Sequence, residues 1–212
     1  GTGAPCVNAA GEGATCGDNL LATVAQLNSP TSVAIDSAGH LYIADAGSYK
    51  IRKVDKDTKK ITTFLGSGQS CAAEVPAEGA ECLDGLEQAS FSAAKLNSPR
   101  GLAFDAQDNL YFIEESRHLI FRVNNNGEGY TSIERMNAQD CPGGAGSEEV
   151  GAYLTCGGQN AEGALLRNSQ FNGLRDLYFD VDGNLLVADT QNYVVRVIGT
   201  PAGCSEDCTL DS

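Results

Sequence analysis

The chain has 212 residues and a formal net charge of −14, from 28 acidic and 14 basic residues. A surface of that sign repels phosphate groups, which excludes nucleic acids and argues against anionic membranes as partners. Glycine is abundant at 25 residues and tryptophan is absent, which suits short strands and tight turns better than a helical bundle. No apolar run approaches the roughly 18 residues of a membrane helix, so no membrane insertion is expected.

A lead-in at residues 1–26 precedes three segments that align with one another, at 27–55, 96–124 and 171–199. Each segment carries one acid and a second acid nine residues later. The six positions are Asp36 and Asp45, Asp105 and Glu114, Asp180 and Asp189. A repeat of this kind predicts one structural unit per segment.

The first unit, residues 27–68, alternates apolar and polar residues with the period of a strand. Three strands are predicted around Val33, Leu41 and Ile51, and a fourth at Ile61–Leu65. The stretch beginning at Asp36 has the composition of a tight turn between the first two strands.

The rest of the chain repeats this pattern with long insertions. A loop at 69–95 leads to the second unit at 96–136, and a loop at 137–170 leads to the third unit at 171–199. In the third unit Val194–Ile198 runs directly into a glycine- and proline-containing tail at 200–212. We therefore expect three strands in this unit and four in each of the others.

Tandem four-stranded antiparallel units are typical of β-propeller blades, so an all-β fold is predicted. Three blades are too few for a closed ring, which indicates part of a larger propeller or one completed by several chains. The terminal blades should then expose apolar faces. The residues expected there are Val33, Ile35, Ile43, Leu102, Phe104, Tyr178 and Val187.

The eight cysteines fall into four sequential pairs: Cys6 with Cys16, Cys71 with Cys82, Cys141 with Cys156, and Cys204 with Cys208. The pairs sit at matching points of the repeat, which favours local disulfides in that order. Zinc ligation and free thiols are the alternatives, although no pair has the CxxC spacing of a zinc ribbon. Disulfides would place the protein outside the cell, on its surface or in a periplasm.

The run from Pro30 through Ala34-Ile35-Asp36 and Leu41-Tyr42-Ile43-Ala44-Asp45 to Arg52, followed by Gly66-Ser67-Gly68, resembles the NHL repeat. The second unit departs from it with Ile113-Glu114, and the third with Gly173-Leu174. The resemblance implies NHL-type propeller blades.

The acids Asp45, Glu114 and Asp189 end the second strand of each unit, where a carboxylate can cap the turn towards the third strand. A ring of acids around a central metal is the alternative. Arg52, Arg122 and Arg196 are candidate partners of these acids. His40 and His118 have no evident partner in the sequence, so no catalytic set can be assembled.

The stretch from Asp180 to Asn184 resembles half of a Ca²⁺ loop but lacks the distal glutamate, so a turn is predicted instead. No cofactor and no metal site is expected. The sequence favours a non-catalytic interaction or structural module that binds protein or further copies of itself. A metal-dependent propeller enzyme of the lyase or lactonase type is the alternative.

Overall fold

The structure, a computed structural model, describes residues 1–3, 6, 16–71, 83, 88–136, 171–198 and 210–211. Its strands form three four-stranded antiparallel sheets, which confirms the predicted all-β fold. Among the described residues, no helix is both long and apolar enough to cross a membrane.

Each sheet contains four strands that are consecutive in the chain. Sheet 1 contains β1 (Pro30–Ile35), β2 (Leu41–Asp45), β3 (Lys50–Val54) and β4 (Ile61–Leu65). Sheet 2 contains β5 (Pro99–Phe104), β6 (Leu110–Glu114), β7 (Leu119–Asn125) and β8 (Tyr130–Arg135). Sheet 3 contains β9 (Leu174–Phe179), β10 (Leu185–Asp189), β11 (Val194–Ile198) and β12 (Leu210–Asp211). Short 3₁₀ helices lie at Ala22–Val24, Ala46–Ser48, Gln88–Ala93, Glu115–Arg117 and Thr190–Asn192.

The expectation of only three strands in the third unit is wrong. Leu210 and Asp211 pair with Ile198 and Val197, so a two-residue strand completes sheet 3. No apolar alternation in the tail marks this return to the sheet. A two-residue strand is too short to carry a period-two signal.

The turn between the first two strands of each sheet is closed by its aspartate. Asp36 accepts a hydrogen bond from the backbone N–H of His40 at 2.8 Å. Asp105 and Asp180 accept the equivalent bonds from Asn109 and Asn184 at 2.9 and 2.8 Å. The aspartate side chain thus adds an acceptor to a turn that its own backbone carbonyl also closes, since Gly39 donates to the carbonyl of Asp36 at 2.9 Å.

Adjacent sheets pack through their first strands, with β1 against β5 and β5 against β9. One aromatic pair recurs across both junctions, because Tyr42 meets Phe104 and Tyr111 meets Phe179, each edge to face with ring centroids 4.9 Å apart. Edge-to-face rings of this kind add about 0.5–1.5 kcal/mol beyond the area they bury. The junction between blades is therefore itself a repeated structure.

Polar contacts join the same sheets. Ser32 accepts the N–H of Leu102 at 3.0 Å, and Thr31 donates to the carbonyl of Pro99 at 3.0 Å. Between sheets 2 and 3, the carboxylate of Glu115 forms ion pairs with both Arg100 and Arg175.

A segment before each of the first two sheets covers the outer strands of that sheet. Before sheet 2 the segment contributes the buried residues Phe91, Ala94 and Leu96. Before sheet 1 the segment at residues 22–27 packs in the same way on Ile43, Val54 and Ile61. The junction thus contains three parts: two sheets and one covering segment.

Candidate functional site

The acids at the end of β2, β6 and β10 are fully buried. Each accepts the backbone N–H of an asparagine 17 residues earlier in the chain, just before the first strand of its sheet. The pairs are Asp45 with Asn28 at 2.6 Å, Glu114 with Asn97 at 2.8 Å, and Asp189 with Asn172 at 2.7 Å. The acids therefore hold the start of the first strand, a role that sequence reasoning missed because it joins residues distant in the chain.

The predicted contact with the following turn is present as well. Asn192 and Arg117, each three residues after its acid, donate to the second carboxylate oxygen of Asp189 and Glu114 at 2.8 and 3.2 Å. The carboxylates of Glu114 and Asp189 thus link the second strand, the following turn and the lead into the first strand. Buried carboxylates are tolerated when their oxygens are paired in this way.

In sheet 1 the acid belongs to a buried ion-pair network. The guanidinium of Arg52 is fully buried, lies 3.5 Å from Asp45 and donates to Asp18 at 2.5 Å. Thr63 donates to the other oxygen of Asp18 at 2.7 Å. Burial raises the pKa of Asp45, while the N–H of Asn28 and the positive charge of Arg52 act in the opposite direction.

In sheet 2 the acid is a glutamate, and burial raises its pKa to about 7. Arg117 and the N–H of Asn97 oppose this shift. In sheet 3 Arg196 donates to Asp189 at 2.7 Å. The three equivalent acids thus have unequal electrostatic surroundings.

The prediction that Arg122 would pair with a repeated acid is wrong, since it donates to Glu134 at 2.6 Å. Arg52 and Arg196 lie seven residues after their acids, whereas Arg122 lies eight after Glu114. A displacement of one residue in a strand moves a side chain to the opposite face. In this unit the seventh residue after the acid is Phe121, so Arg117 pairs with Glu114 instead. The changed spacing between the acid and the arginine is the signal in the sequence that could have revealed this.

The aspartates in the first turns are occupied by the turn itself. Asp180 accepts the N–H of Asp182 and both the backbone and side-chain N–H groups of Asn184. The Asn184 side chain and then its backbone lower the pKa of Asp180. Across the described ranges, no three His, Cys, Asp or Glu side chains are grouped as metal ligands.

Both histidines have partners, contrary to the expectation from the sequence. His40 accepts the N–H of Lys56 at 3.1 Å within sheet 1. His118 occupies the left-handed position that follows the 3₁₀ turn in each sheet, equivalent to Tyr49 and Tyr193. Its Nδ1 accepts the N–H of Gly173 at 3.0 Å and so joins sheet 2 to sheet 3.

Replacing His118 by alanine is expected to lower the free energy of unfolding by about 1–3 kcal/mol, because the N–H of Gly173 loses its acceptor. Burial lowers the pKa of His118, which favours the neutral ring that can accept this bond. His118→Asn should lose less, since asparagine tolerates the left-handed conformation and offers an acceptor oxygen. Denaturant unfolding of both variants, with His40→Ala as control, checks the result; equal loss for alanine and asparagine would contradict it.

Of the four predicted disulfides, one lies wholly within the described residues. Cys6 and Cys16 are bonded, with Cα atoms 5.6 Å apart, as predicted. Cys71 is also disulfide-bonded, but its predicted partner Cys82 lies outside the described residues.

The other four cysteines, which are Cys141, Cys156, Cys204 and Cys208, all lie outside the described residues. The structure therefore does not test the predicted bridge from Cys141 to Cys156. Nor does it test the predicted bridge from Cys204 to Cys208. Both pairings remain predictions.

Two apolar sheet surfaces are exposed at the ends of the blade row. The leading face is formed by Val33 and Ile35 of β1, which are 62% and 64% exposed. The trailing face is formed by Tyr178 of β9, Leu186 of β10 and Val195 of β11. Tyr178 lies opposite Leu186 in the sheet register, and Tyr178 and Val195 are both 65% exposed.

Only part of the predicted exposed surface is exposed. Ile43, Leu102 and Val187 are buried, and Phe104 packs against the core between sheets 1 and 2. Ile43 is covered by the segment at residues 22–27. Leu102 and Phe104 belong to the middle blade, whose faces both have a neighbour.

Comparison with known proteins matches the first part of the chain to one family. Residues 1–80 match the Teneurin NHL domain family. The chain is 34% identical to Teneurin-m of Drosophila melanogaster over 130 residues, which are 60% of this chain and 4% of that protein. It is 27% identical to Teneurin-1 of Mus musculus over 179 residues, which are 77% of this chain and 6% of that protein. The chain thus spans less than a tenth of the length of these curated relatives.

Among solved structures, a Bacteroides thetaiotaomicron protein proposed to be a phosphatase superposes with a TM-score of 0.51 and 15% identity. The match covers 85% of this chain and 34% of that one, and it concerns the fold alone. The repeat motif, the sheet topology and the family match agree with one another. The chain is built of NHL-type β-propeller repeats.

Proposed function

We propose that the chain is an extracellular, non-catalytic module that binds protein through its leading and trailing faces. The observation that carries this proposal is the contrast between equivalent positions. Val33 is 62% exposed, while its equivalents Leu102 and Leu177 are 5% and 4% exposed in their packed junctions. Apolar sheet faces of this kind are stabilised by about 25 cal/mol for each Å² that a partner covers.

The cysteines support an oxidising location. The disulfide between Cys6 and Cys16 and the bonded state of Cys71 are typical of secreted, surface-exposed or periplasmic proteins. The cell surface, the extracellular space and a periplasm all fit this chemistry.

The use of the repeated acids supports a structural role for them. Asp45, Glu114 and Asp189 are buried, and each is engaged by a backbone N–H and an arginine of its own sheet. Recurrence of one arrangement in every blade is typical of folding rather than of a single catalytic centre. A metal-dependent lyase or lactonase is the competing function.

The test uses a photo-reactive amino acid placed at Val33, at Val195 or at Val181 in the native protein. Val181 is 99% exposed in a turn outside both faces and serves as the control. The proposal expects cross-links to polypeptide from positions 33 and 195 and none above background from 181. Equal labelling at all three positions, or a hydrolytic or lyase activity that chelation abolishes, would contradict it.

A further inference from the structure

Asparagine followed directly by glycine occurs twice in the chain, at Asn126-Gly127 and at Asn172-Gly173. In such a pair the side-chain carboxamide is open to attack by the next backbone nitrogen, because glycine has no side chain to hinder the approach. The two pairs have the same chemistry and lie in different surroundings. Any difference between them in reactivity is therefore set by the fold.

The first pair lies at the tip of the hairpin between β7 and β8. This hairpin belongs to the middle blade, which has a neighbouring sheet on both sides, and Asn126 and Gly127 are nevertheless exposed. The N–H of Gly127 donates to the side chain of Asn125 at 2.9 Å, in a contact that is itself exposed. The nitrogen of Gly127 can therefore be released to react while every strand of the sheet stays paired.

Two backbone N–H groups hold the side chain of Asn126. Its Oδ1 accepts from Glu128 at 3.0 Å and from Gly129 at 3.1 Å. Attack on the carboxamide carbon places negative charge on this oxygen, and N–H donors at such distances stabilise a developing oxyanion. The hairpin thus exposes the reacting pair and also supplies the donors that favour the reaction.

The second pair is enclosed by the junction between sheets 2 and 3. Gly173 is buried, and its N–H donates to Nδ1 of His118 at 3.0 Å. The N–H of Asn172 donates to Asp189 at 2.7 Å, and its carbonyl accepts the N–H of Gln191 at 3.0 Å. The nitrogen of Gly173 can therefore react only after this junction opens locally.

We propose that Asn126 is a site of spontaneous deamidation in the folded protein and that the fold protects Asn172. The nitrogen of Gly127 loses its proton to a base in the solvent and bonds to the carboxamide carbon of Asn126. The bond from that carbon to the side-chain nitrogen breaks, and the nitrogen takes up a proton and leaves as ammonia. Water then opens the resulting succinimide ring at either carbonyl, which gives aspartate or isoaspartate.

Both products add a negative charge to a chain whose net charge is already −14. Aspartate keeps a side-chain oxygen for the N–H groups of Glu128 and Gly129. Isoaspartate instead inserts one carbon into the turn that is closed by the N–H of Asn126 and the carbonyl of Gly129 at 3.1 Å. The modification therefore alters the β7–β8 hairpin of the middle blade and leaves both exposed apolar faces unchanged.

Timed incubation of the wild-type protein in mildly alkaline buffer, followed by peptide mass spectrometry, tests the proposal. In the folded protein we expect Asn126 to convert at least about tenfold faster than Asn172, and in urea we expect similar rates, since neither pair is then enclosed. His118→Ala removes the acceptor of the Gly173 N–H and should speed conversion at Asn172 without changing conversion at Asn126. Asn126→Gln is the control and should abolish the mass change in the hairpin peptide.

Circular dichroism confirms that the wild type and His118→Ala are folded during the incubation. Equal rates at the two asparagines in the folded protein would overturn the proposal, as would conversion of Asn126 in urea alone. An unchanged rate at Asn172 in folded His118→Ala would contradict the protection assigned to the junction. Where this variant does not fold, hydrogen exchange at the Gly173 amide of the wild type replaces it, and an unprotected amide would contradict the same assignment.

Discussion

Asp189→Asn is expected to lower the free energy of unfolding by about 3–5 kcal/mol, the cost of leaving a buried charge without its partner. Asp189 is fully buried and accepts from Arg196 at 2.7 Å. It also accepts the N–H of Asn172 and the side-chain N–H of Asn192. Loss of its charge weakens three contacts that fix the start, the second strand and the turn of sheet 3.

Urea unfolding followed by circular dichroism measures this effect, and Asp182→Asn, in an exposed turn of the same sheet, is the control. If the cost arises from the unpaired guanidinium, adding Arg196→Met to Asp189→Asn should restore part of the stability. A loss below about 1 kcal/mol for Asp189→Asn, within the range of a surface ion pair, would show that the buried pair does not hold the sheet.

Glu114 is expected to make the fold less stable as the pH rises. Burial raises its pKa from 4.5 to about 7, so the folded chain binds this proton more tightly than the unfolded chain does. The resulting stability is fully present below about pH 4.5 and is lost as the pH rises through 7. The shift corresponds to roughly 3 kcal/mol at 1.36 kcal/mol for each pH unit.

The measurement compares wild type with Glu114→Gln, which retains an acceptor for the N–H of Asn97 but cannot ionise. Their difference in unfolding free energy should move by roughly 3 kcal/mol in favour of the variant between pH 4.5 and pH 8. Glu128→Gln, in an exposed turn, should follow the wild type across this range. A constant difference between Glu114→Gln and wild type would contradict the assignment.

Most of the fold could be predicted because its signals are local. The alternation of apolar and polar residues around Val33, Leu41 and Ile51 predicts strands, and Asp36 predicts a turn. Neither prediction needs knowledge of a distant contact. The repeat register then transfers these assignments to sheets 2 and 3. The two-residue strand at Leu210–Asp211 could not be predicted, because nothing in so short a segment distinguishes a strand from an irregular tail.

The site was predicted less completely, because its contacts join residues far apart in the chain. The acids were placed correctly at strand ends, but their bond to an N–H 17 residues earlier follows only from the closed sheet. The pairing of Glu114 with Arg117 in place of Arg122 follows from a one-residue change in the spacing between the acid and the arginine. His118 bonds across two sheets to Gly173, and no pattern in the sequence reports such a contact.

The central claim is that the leading and trailing faces are binding surfaces rather than ordinary exposed residues. Hydroxyl-radical footprinting of the native protein, purified and in its unfractionated native source, tests it most directly. We predict that Ile35, Tyr178 and Val195 are labelled in the purified protein and protected in the native source, while Val181, which is 99% exposed, is labelled in both. Labelling of the three face residues that is the same in both samples, in step with Val181, would contradict the account.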